Sequence, residues 1–102
     1  MAKAGLTQLA RVAALELGAD NIRVNTIHPN AVFDTGVWTD EVLAGRAQSY
    51  GMSIEDYKAN NVLKTSVASS NVADMVCAMA GKAFAKTTGA QVPVDGGNER
   101  VI

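Results

Sequence analysis

Hydrophobic residues recur at helical spacing in two long stretches of the chain. Apolar residues repeat every three or four positions over residues 3–18, which predicts an amphipathic helix. Val12 and Leu15 fall on a second side of this helix, so we expect it to contact two partners. Gly18 suits the left-handed residue that often ends a helix. Residues 71–80 repeat the pattern and predict another helix.

Two short apolar segments predict strands. Residues 22–27 alternate between two faces, and Pro29 ends them. Residues 90–94 form the second predicted strand, which we expect at a sheet edge because Pro93 lacks an amide proton. Residues 40–48 and 53–61 predict two short helices, the second beginning at a capping box.

The order of these elements is typical of an α/β protein with parallel strands. Parallel strands usually need helices on both faces, and two strands rarely stand alone in water. The pattern therefore predicts part of a larger, doubly wound parallel sheet. Its predicted elements are two strands, one of them at an edge, with flanking helices.

Composition narrows the classes of function. The chain has 102 residues, 48% of them hydrophobic, which is enough apolar material for one domain. The formal net charge is −1 and no basic stripe occurs, so we expect no nucleic-acid partner. Cys77 is the only cysteine, which excludes an intrachain disulfide and a cysteine-cluster metal site, and no metal is expected. No signal-peptide pattern or membrane-length apolar run occurs, so we predict a cytoplasmic protein without a membrane partner.

Several short motifs follow one another in a defined order: Ala2-Lys3-Ala4-Gly5-Leu6, Glu16-Leu17-Gly18, Ile22-Arg23-Val24-Asn25 with Pro29, Thr88-Gly89, and Val94-Asp95-Gly96-Gly97. The ordered set resembles the C-terminal half of the short-chain dehydrogenase/reductases and covers essentially the whole chain. The resemblance implies that residues 1–102 are the C-terminal segment of a single NAD(P)-binding Rossmann-like domain, truncated at its N-terminus.

A narrower resemblance is carried by residues 30–36, the region around 50–52 and residues 86–97. These segments are similar to the dehydrogenase end of bacterial bifunctional aldolase/short-chain dehydrogenase proteins. That similarity implies a lactaldehyde- or sugar-type substrate.

Lys3 corresponds to the lysine of the family's catalytic Tyr-x-x-x-Lys motif. In the family this lysine lowers the pKa of the tyrosine and contacts the nicotinamide ribose. The tyrosine would precede Met1, and no glycine-rich dinucleotide pattern occurs in the sequence. We therefore expect NAD or NADP in an intact parent protein, but no tight binding or turnover by this chain alone. In the isolated chain Lys3 is expected to be an exposed lysine in a frayed turn.

The loop after the first predicted strand matches the family's second cofactor contact. Pro29 and Val32 match the usual pattern, whereas Asn30 replaces a glycine. Because asparagine tolerates left-handed angles, Asn30 is expected to preserve the turn. Asp34 stands at the usual threonine position, which leaves Thr35 as the candidate carboxamide contact. Asp34 itself either binds a substrate hydroxyl or forms a turn.

Residues 36–61 correspond to the family's substrate lid, formed by the two small helices. Trp38, Tyr50 and Tyr57 either line a substrate pocket or pack the lid, and we favour packing. His28 is interpreted as a loop histidine and Cys77 as chemically inert. Residues 95–97 are interpreted as a turn and not a phosphate loop, because no helix follows them.

The resemblance implies an NAD(P)-dependent oxidoreductase acting on a small alcohol or carbonyl substrate. Whether this chain is itself an enzyme stays open. We expect a homo-oligomer formed through the first helix and the edge strand. One alternative function is a non-catalytic oligomerisation or subunit-complementing module. Another is a gene fragment without independent function. The sequence leaves the choice between NAD and NADP open.

Overall fold

The computed structural model describes residues 2–98. Its helices and strands follow in the order α1 (Ala2–Leu17), β1 (Thr26–Pro29), α2 (Asp40–Ser49), α3 (Ile54–Lys58), α4 (Ser69–Ala80) and β2 (Gln91–Val94). Two short 3-10 turns, Gly18–Asp20 and Lys82–Phe84, follow α1 and α4. Each predicted helix and strand is present, with shifted ends.

β1 and β2 pair in a two-stranded parallel sheet. The N–H of Thr26 donates to the carbonyl of Ala90 at 2.8 Å, and the N–H of Asn30 donates to the carbonyl of Val94 at 3.3 Å. Both bonds keep the same offset along the two strands, as a regular parallel register requires. Within the described residues, β2 has no second strand beside it, as expected for a strand that contains Pro93.

The first strand begins later than its alternating pattern predicts. The N–H of Val24 donates to the Thr88 hydroxyl at 3.0 Å, and the N–H of Ala90 donates to Oδ1 of Asn25 at 3.0 Å. Side-chain bonds therefore supplement the backbone bond of this segment, from the N–H of Gly89 to the carbonyl of Val24 at 2.8 Å. The strand proper occupies Thr26–Pro29. As predicted, β1 ends at Pro29, and the N–H of the following Asn30 still donates to the carbonyl of Val94.

The end of α1 contradicts the prediction for Gly18. Gly18 begins a 3-10 turn, and Asn21 adopts the left-handed conformation with φ of 60°. The N–H of Asn21 donates to the carbonyl of Gly18 at 3.0 Å. The helix tightens before it ends, so the left-handed position falls on asparagine, which tolerates it.

Arg23 holds the C-terminal end of α4. Its Nη1 atom donates to the carbonyls of Met79 at 3.0 Å and Phe84 at 2.9 Å. The last carbonyls of a helix lack intrahelical donors, and a basic side chain can satisfy them. Arg23 of the Ile22-Arg23-Val24-Asn25 motif therefore has a structural role at the end of α4.

The described chain falls into two compact units. One combines the residues up to His28 with Met75–Val92, and the other combines Pro29–Asp74 with the residues from Pro93 onward. In the first unit the buried hydrophobic residue is Ala14, whereas Leu15 of α1 is 85% exposed. The second unit buries more apolar side chains, namely Phe33, Leu43, Ala47 and Val67, together with the polar Asp95.

Candidate functional site

A shallow cavity of about 520 Å³, largely open to solvent, lies in the second unit. It is lined by Pro29, Asn30, Ala31, Val32, Thr35, Trp38, Ser69, Val72 and Ala73. The loop after β1 forms one wall, and the first turns of α4 form another. A largely apolar lining with a few polar groups is typical of a small-molecule site.

The loop at this cavity turns at Ala31. Ala31 has a φ of 55°, while Asn30 is not among the described residues with positive φ. The prediction that Asn30 takes the left-handed position is therefore wrong. The N–H of Asn30 extends the ladder to Val94, so the backbone reverses one residue later. An alanine in this conformation costs about 1–2 kcal/mol, and such strain occurs often at functional sites.

Asp34 joins the loop to the start of α4. The N–H of Ser69 donates to Oδ1 of Asp34 at 2.9 Å, and the Ser69 hydroxyl donates to Oδ2 at 2.9 Å. These bonds, that from the backbone N–H first, lower the pKa of the Asp34 carboxyl below its ordinary value. A carboxylate at a helix N-terminus is also favoured by the helix dipole. Of the two interpretations of Asp34, this geometry favours the structural one.

Thr35, and not Asp34, forms part of the cavity wall. The Thr35 hydroxyl donates to the carbonyl of Val32 at 3.0 Å. Val32 in turn forms an isolated parallel bridge with Val67, which precedes α4. The cavity thus brings together the loop residues singled out by sequence, namely Pro29, Asn30, Val32 and Thr35.

The lid aromatics pack around a buried phenylalanine. The rings of Phe33 and Trp38 meet edge to face with centroids 4.7 Å apart, and Phe33 is 7% exposed. The ring centroid of Tyr57 lies 5.6 Å from that of Phe33. Tyr57 also stacks on Tyr50, with ring centroids 5.6 Å apart. Trp38 also lines the cavity, whereas Tyr50 and Tyr57 do not. The packing interpretation therefore fits both tyrosines.

A profile of the family described as Enoyl-(Acyl carrier protein) reductase matches residues 1–99 of the chain. The chain belongs to the short-chain dehydrogenase/reductase family. The predicted family and its oxidoreductase class are thereby confirmed.

Two curated relatives match nearly all of the chain. The uncharacterized oxidoreductase YuxG of Bacillus subtilis strain 168 is 34% identical over 100 residues, which cover 93% of this chain and 14% of YuxG. The short chain dehydrogenase/reductase astE of Aspergillus oryzae is 36% identical over 97 residues, which cover 94% of this chain and 35% of astE. The chain thus spans well under half the length of these relatives.

A solved structure of this family has the same fold. It is a 4-hydroxyisoleucine dehydrogenase mutant complexed with NADH and succinate, with a TM-score of 0.74 and 28% sequence identity. The match covers 95% of this chain and 37% of that protein. The predicted α/β Rossmann-like fold is confirmed, and that family member binds a nicotinamide cofactor.

Lys3 lies in the first turns of α1 and is exposed. Its backbone carbonyl accepts a hydrogen bond from the Thr7 hydroxyl at 3.0 Å. Lys3 belongs to the first unit, whereas the cavity belongs to the second. Its catalytic role therefore stays a prediction from the family motif.

His28 lies in β1 and not in a loop, which corrects the prediction for this residue. In the amide orientation that pairs donors with acceptors, Gln91 donates to His28 Nε2 at 3.1 Å and accepts from Arg11 Nη2 at 2.9 Å. His28 is thus part of a polar pair between the strands. Residues 2–98 contain no group of three or more metal-binding side chains.

The structure also describes the predicted 95–97 turn and Cys77. The N–H of Gly97 donates to Oδ1 of Asp95 at 2.8 Å, which forms the predicted turn. Cys77 is a free and exposed cysteine on α4. As for the membrane, none of the helices within residues 2–98 has the length and hydrophobicity needed to cross a bilayer.

Sequence reasoning missed the cavity residues that follow the lid. Ser69, Val72 and Ala73 line the cavity from α4, and Phe33 packs against Trp38, which also lines the cavity. The helical periodicity of residues 71–80 included Val72, but as a core position. No local motif marks Ser69, because its role depends on Asp34, far away in the sequence.

Proposed function

We propose that residues 1–102 form the C-terminal part of an NAD(P)-binding domain of a short-chain dehydrogenase/reductase. The parent protein would oxidise or reduce a small alcohol or carbonyl compound of lactaldehyde or sugar type. The cavity between the 29–35 loop and α4 carries this proposal, because it gathers the loop residues that the family uses near the nicotinamide. NADH in a related structure supports the cofactor class.

The cavity has the size and lining that a nicotinamide ring requires. Its volume of about 520 Å³ and its apolar residues suit the ring, while the hydroxyls of Thr35 and Ser69 supply polar contacts. Pro29, Asn30 and Val32 would hold the ring edge, with Thr35 beside the carboxamide. When bound, the nicotinamide supplies or accepts the hydride. The protein's part is to orient the ring and keep water away.

The lid and Lys3 complete the proposed roles. Residues 36–61 would cover the substrate, with Trp38 in the cavity wall and Tyr50 and Tyr57 packed behind it. Lys3 would lower the pKa of a catalytic tyrosine outside this sequence and contact the cofactor ribose. Since no such tyrosine or glycine-rich loop is present, the chain alone is proposed to be inactive.

Energy transfer from Trp38 to reduced nicotinamide tests this function. Trp38 is the only tryptophan and lines the cavity, so NADH bound there would quench its fluorescence and emit in turn. We expect weak, saturable transfer with NADH and NADPH, and none with ADP-ribose, which lacks the nicotinamide. Equal quenching by ADP-ribose, or no transfer, would contradict the proposal. In the same preparation, rapid NADH oxidation with lactaldehyde would contradict the proposed inactivity.

The greater length of YuxG supports a parent with a further activity. The match covers only 14% of YuxG, so a relative of that length can contain a second domain, such as the aldolase that the narrower resemblance implies. Mass determination of the native protein and an aldolase assay on it would test this part of the proposal.

An oligomerisation module is the second candidate function. It is favoured by α1, on which Leu6 and Leu9 are each 63% exposed and Leu15 is 85% exposed. Exposed apolar surface of this kind often marks an interface. Light scattering would test it: a defined oligomer that dissociates in Leu15→Glu is expected, whereas a folded monomer would exclude this function.

A further inference from the structure

Both hydroxyl groups in the cavity lining have donated their only proton to the protein. The Thr35 hydroxyl donates to the Val32 carbonyl at 3.0 Å, and the Ser69 hydroxyl donates to Oδ2 of Asp34 at 2.9 Å. A hydroxyl group has one proton to donate and two lone pairs to accept with. The hydroxyl groups of Thr35 and Ser69 therefore offer only hydrogen-bond acceptors to a ligand in the cavity.

The charge of Asp34 beside the cavity also disfavours an anionic ligand. None of the described residues that line the cavity is charged, so no cation is available there for an anionic ligand. The Asp34 carboxylate lies directly behind Ser69 and stays ionised at neutral pH, because its hydrogen bonds lower its pKa. At the Thr35 and Ser69 hydroxyl groups, a bound carboxylate would meet two acceptors and the nearby negative charge of Asp34, whereas an N–H or O–H donor would pair with the hydroxyl oxygens.

We propose that this cavity selects an uncharged, hydrogen-bond-donating group over the corresponding carboxylate, and that Asp34 determines this preference through Ser69. The group is a primary carboxamide or an alcohol hydroxyl. This inference rests on the proposed function, since the carboxamide would come from the cofactor and the hydroxyl from the substrate. Asp34 is thus a positioning residue that fixes the direction of the Ser69 proton.

Two matched pairs of small molecules test the preference on the full 102-residue chain. Nicotinamide and nicotinate represent the cofactor source, and 1,2-propanediol and lactate represent the substrate source. Binding is followed by the NMR amide signals of Thr35 and Ser69. In at least one pair, we expect the neutral member to bind about tenfold more tightly, the size of one charged hydrogen-bond contact. The pair that shows this difference identifies the source.

Asp34→Asn changes the polarity of Ser69 with little change in shape. The asparagine oxygen still accepts the Ser69 N–H, but its amide donates to the Ser69 hydroxyl, which frees the Ser69 proton for the cavity. We expect the preference for the neutral member to fall about tenfold. Asp56→Asn removes the same charge from α3, away from the cavity lining, and should leave the preference unchanged.

Ser69→Ala removes the hydroxyl group but keeps the Asp34 charge, so it distinguishes the effects of the two groups. This variant should weaken the neutral ligand without improving the anion, because Asp34 keeps its charge. The inference is overturned if the anions bind as well as their neutral partners, if neither neutral molecule shifts Thr35 and Ser69, or if Asp34→Asn and Asp56→Asn behave alike.

Failure of this inference and failure of the proposed function give different results. NADH-dependent energy transfer without selectivity between the pairs would overturn only the inference. Selectivity in the propanediol and lactate pair without NADH-dependent transfer would overturn only the nicotinamide function.

Discussion

Gly96 is predicted to be required by the fold at the end of the lid. Its φ is +65°, and a Cβ added there would lie 2.7 Å from Cγ and Nδ2 of Asn61. The Asn61 amide donates to the Thr65 carbonyl at 2.7 Å and accepts from the Thr65 N–H at 3.2 Å. The carbonyl of Gly96 also accepts from the N–H of Leu63 at 3.0 Å. In Gly96→Ala the new methyl group must therefore displace Asn61.

The expected loss of stability has two parts. Holding alanine in a left-handed conformation costs about 1–2 kcal/mol. Losing the two Asn61–Thr65 hydrogen bonds costs about 0.5–1.5 kcal/mol each. Gly96→Ala should therefore reduce the free energy of unfolding by roughly 2–5 kcal/mol.

Gly51→Ala is the matched control. Gly51 has nearly the same φ, +66°, but a methyl group added there would meet nothing within 4 Å, so only the backbone part of the penalty applies. The difference between the two variants therefore measures the collision with Asn61. In the Asn61→Ala background that collision disappears, and Gly96→Ala should cost no more than Gly51→Ala.

Urea unfolding followed by Trp38 fluorescence measures these free energies. Trp38 belongs to the same compact unit as Gly96, Gly51 and Asn61, and it packs on buried Phe33. Equal destabilisation by Gly96→Ala and Gly51→Ala would refute the reasoning. So would an unchanged penalty for Gly96→Ala after Asn61 is removed.

Three further predictions follow from the loop and the lid. Ala31→Gly should raise the free energy of unfolding by up to about 1 kcal/mol, because relief of the left-handed strain exceeds the added freedom of the unfolded chain; urea unfolding checks this. Hydrogen bonds from Ser69 lower the pKa of Asp34, so the Asp34–Ser69 contact stabilises the fold at pH values above the unfolded-state pKa, near 4. This stabilisation is lost as the pH falls through the lower pKa of the folded state. NMR titration of the Ser69 amide should show this step in wild type and not in Asp34→Asn. Phe33→Ala should destabilise the chain by about 3 kcal/mol in urea unfolding, whereas Tyr50→Ala, at a side chain that is 61% exposed, should cost less than about 1 kcal/mol.

Local periodicity predicted α1 more closely than β1. The pattern over residues 3–18 gave α1 within one residue at each end, because an amphipathic repeat is contained in the helix itself. The first strand shifted toward Pro29 because its ladder depends on β2, near the other end of the sequence. The side chains of Asn25 and Thr88 supplement the backbone bonds before that ladder, and no local pattern shows this.

The features of the candidate site that lie close together in sequence were also predicted better than those that depend on the tertiary fold. Sequence placed Pro29, Val32 and Thr35 together because they are close along the chain, and the structure puts all three in the cavity lining. The role of Asp34 depends on Ser69, which only the tertiary fold brings near. The left-handed position moved from Asn30 to Ala31 because a non-local bond to Val94 uses the Asn30 amide.

The most direct test of the account is a residue-resolved NMR titration of the chain with NADH. We predict that the amide signals of Ala31, Thr35 and Ser69 shift together with one binding curve. Signals in α2, such as that of Gly45, should stay in place. Shifts confined to residues outside the cavity, or no shift at these three amides, would contradict the assignment of the cavity to the nicotinamide.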